Sequence, residues 1–102
     1  AKGRSTVGRA VPTLASPTGH WISVQGYTDS DPIGPALRGR YPTNWDLSAA
    51  RAVDVVRYLQ VQGVDPRNLV AEGYGQYQPV ASNDTPQGRA KNRKIDIVLR
   101  SK

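Results

Sequence analysis

Residues 44 to 62 constrain the fold most. The stretch NWDLSAARAVDVVRYLQVQ carries Ala49, Ala52, Val53, Val56 and Leu59 on one stripe at helical spacing, and it contains no proline or glycine. Thr43 or Asn44 supplies the cap, Asp46 sits in the first turn where an acid suits the helix dipole, and Gly63 follows as the stop. The spacing predicts one amphipathic helix over these residues. An amphipathic helix of this length must lay its apolar stripe on something, and the flanking segments say what.

Before it, HWISVQGY at 20–27 alternates Ile22 and Val24 against Trp21, Ser23 and Gln25, which is strand periodicity. After it, VDPRN leads into a second strand, LVAEGY, at 69–74. KIDIVLR at 94–100 sets Ile95, Ile97 and Leu99 against Asp96, Val98 and Arg100 as a third. Between the first strand and the helix runs a long loop, TDSDPIGPALRGRYP, with three prolines and two glycines. Loops of that length in a small domain are usually functional. A polar loop, GQYQPVASNDTPQG, follows the second strand, with one or two helical turns expected over 87–93. Residues 1 to 15 carry a weak helical pattern of Val7, Ala10, Val11 and Leu14, interrupted by Gly3, Gly8 and Pro12, and SPTG at 16–19 reads as a turn. The expected architecture is an α/β sandwich with helices on one face of a small sheet.

At 102 residues the chain is expected to hold one domain with one core. The absence of cysteine excludes disulfides, thiolate zinc sites and cysteine nucleophiles. No apolar run approaches the roughly 20 residues a membrane helix needs, and no signal peptide is visible. The chain opens AKGRSTVGRA without an initiator Met, as expected of an excised domain or mature fragment. The formal net charge of +6 suits an anionic partner such as nucleic acid, acidic lipid or a cell-wall polymer, and does not choose among them.

Nothing in the pattern argues for an enzyme. His20 is the sole histidine and stands at a turn-to-strand junction, where a structural role is expected. Asp29 and Asp31 share one loop, unlike two carboxylates flanking a scissile bond. No metal cluster or cofactor loop is expected; GYGQ at 73–76 reads as a strand exit because no helix opening with Lys-Ser/Thr follows. Asp29 closes the first strand at the lip of the long loop, and Arg51 lies early in the helix, offset from its core face. Two readings stand: an Asp29–Arg51 ion pair that clamps the loop, or one pocket presenting both charges. Asn92-Arg93 before the last strand reads either as a helix end with favourable cations or as part of that site.

These residues resemble a known family. GYTDSDPI, NWDLSAARAVDVVRYL and GYGQYQPVASNDTPQGRAKNRKIDIVL are similar, in order and spacing, to the C-terminal peptidoglycan-binding domain of OmpA-like proteins, and most of all to its MotB-like flagellar stator branch. The shared pattern is a Gly-aromatic/His-Thr-Asp strand end, an Asn-Trp-x-Leu-Ser-x-x-Arg-Ala helix start, and a Pro-Val-Ala-x-Asn-Asp-Thr run into Gly-Arg-Ala-x-Asn-Arg. The resemblance implies a βαβαβ-type fold with a small mixed sheet, spanning 1–102 as one domain, with 1–15 a partial first helix, 16–102 the main body and the family's first strand missing. It implies non-covalent anchoring to peptidoglycan in the periplasm by capture of diaminopimelate on the stem peptide, and no cofactor. Asp29 would accept the ligand's ammonium and Arg51 its carboxylate. Thr28, Asn44 and Leu47 would shape the pocket, and Asn92 and Arg93 would lie beside it. Trp45 and the long loop would orient the site. Tyr27 stands where the family often has His, and Lys94 where it has a second Arg. A missing first strand would leave a sheet edge open to dimerisation. The parent would be an inner-membrane stator component with a membrane partner, or else an outer-membrane protein or lipoprotein. The competing class is a basic nucleic-acid-binding domain, which the dispersed arginines do not favour; a purely structural dimerising module is the third.

Overall fold

The computed structural model describes residues 19–102, so the helix expected within 1–15 lies outside the described residues. Strand β1 (His20–Gly26) leads through the long loop, which is not wholly irregular: Pro35–Arg38 forms one helical turn, α1. Helix α2 (Asn44–Val61) follows, then a 3₁₀ turn at Pro66–Asn68, strand β2 (Leu69–Gly73), helix α3 (Pro86–Asn92) and strand β3 (Ile95–Ser101).

The sheet has the order β2-β1-β3. β1 and β2 are parallel, with Val24 opposite Ala71, so a crossover is obligatory and α2 supplies it. β3 returns antiparallel on the other side of β1, with Val24 opposite Ile97. The sheet is therefore mixed and small, with β1 central.

Thr43 is the residue that caps α2. It stands in extended backbone, its hydroxyl accepts from the Asp46 N–H, and its own N–H donates to Asp46 Oδ2 at 3.0 Å. This reciprocal capping box satisfies donors that the first helical turn leaves open. The same contacts, the Thr43 hydroxyl first, hold the Asp46 carboxyl below the ordinary aspartate range.

The core lies between α2 and the sheet: Ile22 and Val24 from β1 meet Ala52, Val55 and Leu59, with Val64 closing the end. The buried stripe of α2 is thus Ser48, Ala52, Val55 and Leu59, rotated from the one expected. Ala49 and Val53 face solvent, and Val56 only flanks the core. The alanine- and valine-rich helix has two overlapping apolar stripes, and its seating on two glycines decides between them. A Cβ on Gly26 would stand 2.2 Å from the Ser48 carbonyl oxygen, and one on Gly73 would stand 2.6 Å from the Ala49 nitrogen. The helix therefore rests backbone to backbone on the ends of β1 and β2. Ser48 is fully buried yet satisfied, accepting from the Gly75 N–H at 2.9 Å and donating to the Trp45 carbonyl at 3.1 Å. In β3, Ile95 and Ile97 pack against the core while Leu99 stays exposed.

The other face of the sheet carries a polar network. Ser23, fully buried, donates to Glu72, whose carboxylate also accepts from the Tyr74 hydroxyl and from Arg100 at 2.7 Å. The Ser23 and Tyr74 hydrogen bonds pull the Glu72 carboxyl below its ordinary range. Tyr27 stacks on Tyr74 with ring centroids 5.1 Å apart.

Candidate functional site

Thr28 and Asp29 leave the end of β1 where three segments converge. The Thr28 N–H donates to the Gly75 carbonyl at 2.9 Å, which ties the strand end to the loop after β2. The Thr28 hydroxyl donates to the Asp29 carbonyl at 2.9 Å. Both residues are buried. The chain then turns on the Asp29 side chain, whose Oδ1 accepts the Asp31 N–H at 3.0 Å.

Asn44, the first residue of α2, points inward. Its Nδ2 lies within hydrogen-bond reach of three acceptors: the Asp31 carbonyl at 3.0 Å, the Asp29 carbonyl at 3.3 Å and Gln76 Oε1 at 3.0 Å. One side chain thus joins the helix start, the loop after β1 and the loop after β2. Leu47 follows one turn on, and Arg51 another turn beyond it.

These residues enclose a cavity of about 150 Å³ lined by Thr28, Asp29, Asp31, Asn44, Leu47, Arg51 and Arg93, with Pro32, Ile33, Gly34 and Leu37 as its apolar wall. Its size suits the charged end of a side chain rather than a whole drug-sized ligand.

The charges are not arranged as the reading of an Asp29–Arg51 ion pair has them. Both side chains face the same cavity, but they are not paired with each other. Asp29 Oδ2 forms a close ion pair with Arg93 Nη1. Arg51 has no ion-pair partner among the described residues. At the rim, Arg89 approaches Asp31 at 3.7 Å. The site therefore combines a buried carboxylate, a guanidinium that covers it and a second guanidinium with no ion-pair partner among the described residues.

Six of the seven residues singled out from the sequence line this cavity. Asn92 does not. It is the last residue of α3, and its side chain is buried against the loop before that helix, where its Oδ1 accepts from the Val80 and Ala81 N–H groups and its Nδ2 donates to the Ala81 carbonyl and Asn83 Oδ1. Trp45 also stays outside the cavity: half exposed, it lies against Gly75 and stacks on Tyr77 at 4.9 Å. Sequence reasoning did not single out Gln76, Arg89 or the Ile33–Leu37 wall. The wall had a signal, because Ile33 and Leu37 are apolar residues in an otherwise polar loop. Gln76 had none. His20 sits at the opposite end of β1 from the cavity, and no cluster able to hold a metal occurs among the described residues.

The model of the OmpA family matches residues 1–93 of this chain. The chain belongs to the OmpA family. Among the relatives of this OmpA-family domain is motility protein B of Bacillus subtilis, 39% identical over 79 residues that make up 76% of this chain and 29% of the relative. Another is the peptidoglycan-binding protein ArfA of Mycobacterium tuberculosis, 41% identical over 78 residues, 76% of this chain and 22% of the relative. The chain thus spans less than a third of the length of either. Among solved structures, the C-terminal domain of Helicobacter pylori MotB superposes with a TM-score of 0.87 at 29% identity, covering 96% of this chain and 73% of that one. The cell wall anchor of the T6SS from Pseudomonas aeruginosa superposes at 0.82 with 34% identity, covering 97% and 66%. The OmpA-like fold and the kinship with MotB implied by the sequence motifs both hold.

Proposed function

We propose that this domain binds peptidoglycan non-covalently, by taking the free end of a diaminopimelate side chain into the Asp29–Arg51 cavity. The observation that carries the reading is the placement on one small cavity of a buried carboxylate and a guanidinium that has no ion-pair partner among the described residues. Diaminopimelate ends in an ammonium and a carboxylate on a single carbon, so its recognition needs one anion and one cation held apart. Asp29 receives the ammonium. Arg51 holds the carboxylate, with its planar fork suited to two-point contact. Thr28 and Asn44 fix the loop that carries Asp29, and Leu47 gives the aliphatic chain an apolar contact. Asn92 serves the site indirectly, by tying the end of α3, from which Arg93 projects, to the loop at 80–83. The names of ArfA, a peptidoglycan-binding protein, and of the Pseudomonas wall anchor support the same class of ligand.

In this reading the domain works in the periplasm as an anchor and performs no catalysis. It ties a larger protein, such as a flagellar stator component in the inner membrane, to the wall; an outer-membrane protein or lipoprotein is the alternative parent.

Co-sedimentation with purified peptidoglycan sacculi tests this directly. The 102-residue chain is expected to pellet with sacculi. At moderate ionic strength Asp29→Ala and Arg51→Ala, folded by circular dichroism, are expected to stay in the supernatant. Undiminished binding by both folded variants would reduce the interaction to general charge attraction and reject the pocket.

A further inference from the structure

Neither oxygen of the Asp29 carboxylate is free. Oδ1 accepts the Asp31 N–H, and Oδ2 is held by Arg93. The two partners differ in kind. The Asp31 N–H is part of the backbone turn and stays in place. Arg93 reaches in from the end of α3, and its side chain is 48% exposed while that of Asp29 is 8% exposed. A long side chain with half its surface in water can swing out; the buried carboxylate cannot follow it. Arg51, on the same cavity, has no competing carboxylate among the described residues.

We infer that Arg93 is a displaceable internal counter-ion that occupies the ammonium subsite of the free protein and sets its affinity. The inference rests on the zwitterion reading of the cavity given above. A bare buried carboxylate would be costly, so the resting protein covers it with its own cation. An incoming ammonium replaces the Arg93 guanidinium at Oδ2, and Arg93 returns to solvent. The exchange of one cation for another at Asp29 gains little by itself. Net binding then comes from the carboxylate that reaches Arg51, which has no ion-pair partner among the described residues to give up. A ligand with an ammonium alone meets the displacement cost without that gain, and so binds weakly. The device also accounts for two arginines on a site that recognises one carboxylate.

This role makes a prediction in which stability and affinity move in opposite directions. In Arg93→Ala the free protein keeps Asp29 uncovered, so its melting temperature falls. The ligand ammonium now meets no competitor, so affinity rises. A residue that merely supported the fold would lower both, and one that touched the ligand's carboxylate would lower affinity.

The test is calorimetric titration with three soluble stem peptides: one ending in diaminopimelate, one with lysine in its place, and one with the diaminopimelate side-chain amine acetylated. For Arg93→Ala the first two are expected to bind more tightly by the same factor, roughly ten-fold for a half-exposed charge pair. The acetylated peptide, which brings no ammonium, is expected to be unchanged. Arg93→Lys, which keeps the charge but loses the planar fork, is expected to fall between and covers the case in which the alanine variant does not fold. Weaker or unchanged binding of the diaminopimelate peptide by the folded Arg93 variants overturns the inference. If the wild type binds that peptide and Arg51→Ala does not, such a result leaves the zwitterion pocket standing and removes only the counter-ion. If neither wild type nor Arg93 variants bind any of the peptides, both fall.

Discussion

The Asn92 carboxamide uses all its capacity within one turn of chain. Oδ1 takes two N–H donors at 2.8 and 3.0 Å, and Nδ2 serves two acceptors at 2.9 and 2.8 Å. No other polar side chain of that shape presents both an acceptor and two donors. Asn92→Ala would leave the Val80 and Ala81 N–H groups and the Ala81 carbonyl without this partner, and it is expected to cost about 1–3 kcal/mol. In urea denaturation this appears as a lower midpoint at unchanged slope. An unchanged midpoint would mean that water replaces the carboxamide freely. The pairing of Asp29 belongs to the same scale. The residue types at 29 and 51 pointed to an ionic site, and only positions in space show that Arg93, rather than Arg51, reaches the aspartate.

Helix α2 is held at its start in two ways that can be separated. Thr43→Ala removes the capping box and is expected to cost about 1 kcal/mol, leaving the seat of the helix intact. Gly26→Ala attacks the seat, because its Cβ would overlap the Ser48 carbonyl, a backbone atom that cannot turn aside. Overpacking of this kind costs typically about 1–3 kcal/mol. Ser48 stands one turn before Arg51, so lifting the helix there also moves the guanidinium. Gly26→Ala should therefore weaken wall binding per folded molecule, whereas Thr43→Ala should not. Gly39→Ala is the control: nothing lies within 4 Å of its Cβ and its φ of −67° suits alanine. Chemical denaturation together with sacculus co-sedimentation distinguishes the three. If Gly26→Ala proves neutral in both, the backbone contact is not what seats the helix. Cap and stop were legible in the sequence because they are local: Thr43, Asp46 and Gly63 act within a few residues of themselves. The buried stripe was not, since Ser48 reads as polar until the Gly75 N–H is brought to it by the loop after β2.

Across the whole molecule the net charge of +6 acts on any anionic surface, including the wall polymer. It is screened over about 10 Å at 0.1 M salt, whereas contacts inside a small cavity are screened much less. Binding to sacculi is therefore expected to show two parts. A salt-sensitive part should fade between low and moderate ionic strength, and it should survive in Asp29→Ala and Arg51→Ala. A salt-resistant part should be absent from both variants. Binding that disappears completely with salt, equally for wild type and variants, would assign all of it to net charge. The order of strands and helices follows from hydrophobic periodicity, turn residues and caps, which are properties of neighbouring residues, and the motif order was enough to imply the family. Sequence alone thus determined the order of the strands and the main helices and the family, and its motifs implied a pocket shared by Thr28, Asp29, Asn44, Leu47 and Arg51 with Arg93 beside it. Tertiary structure decided the rotation of α2 on its glycine seat, the inward turn of Asn92 into its own loop, and the ion pair between Asp29 and Arg93 in place of Asp29 and Arg51. Each of these depends on distances between segments far apart in the chain, and Coulomb and packing forces respond to those distances rather than to residue order.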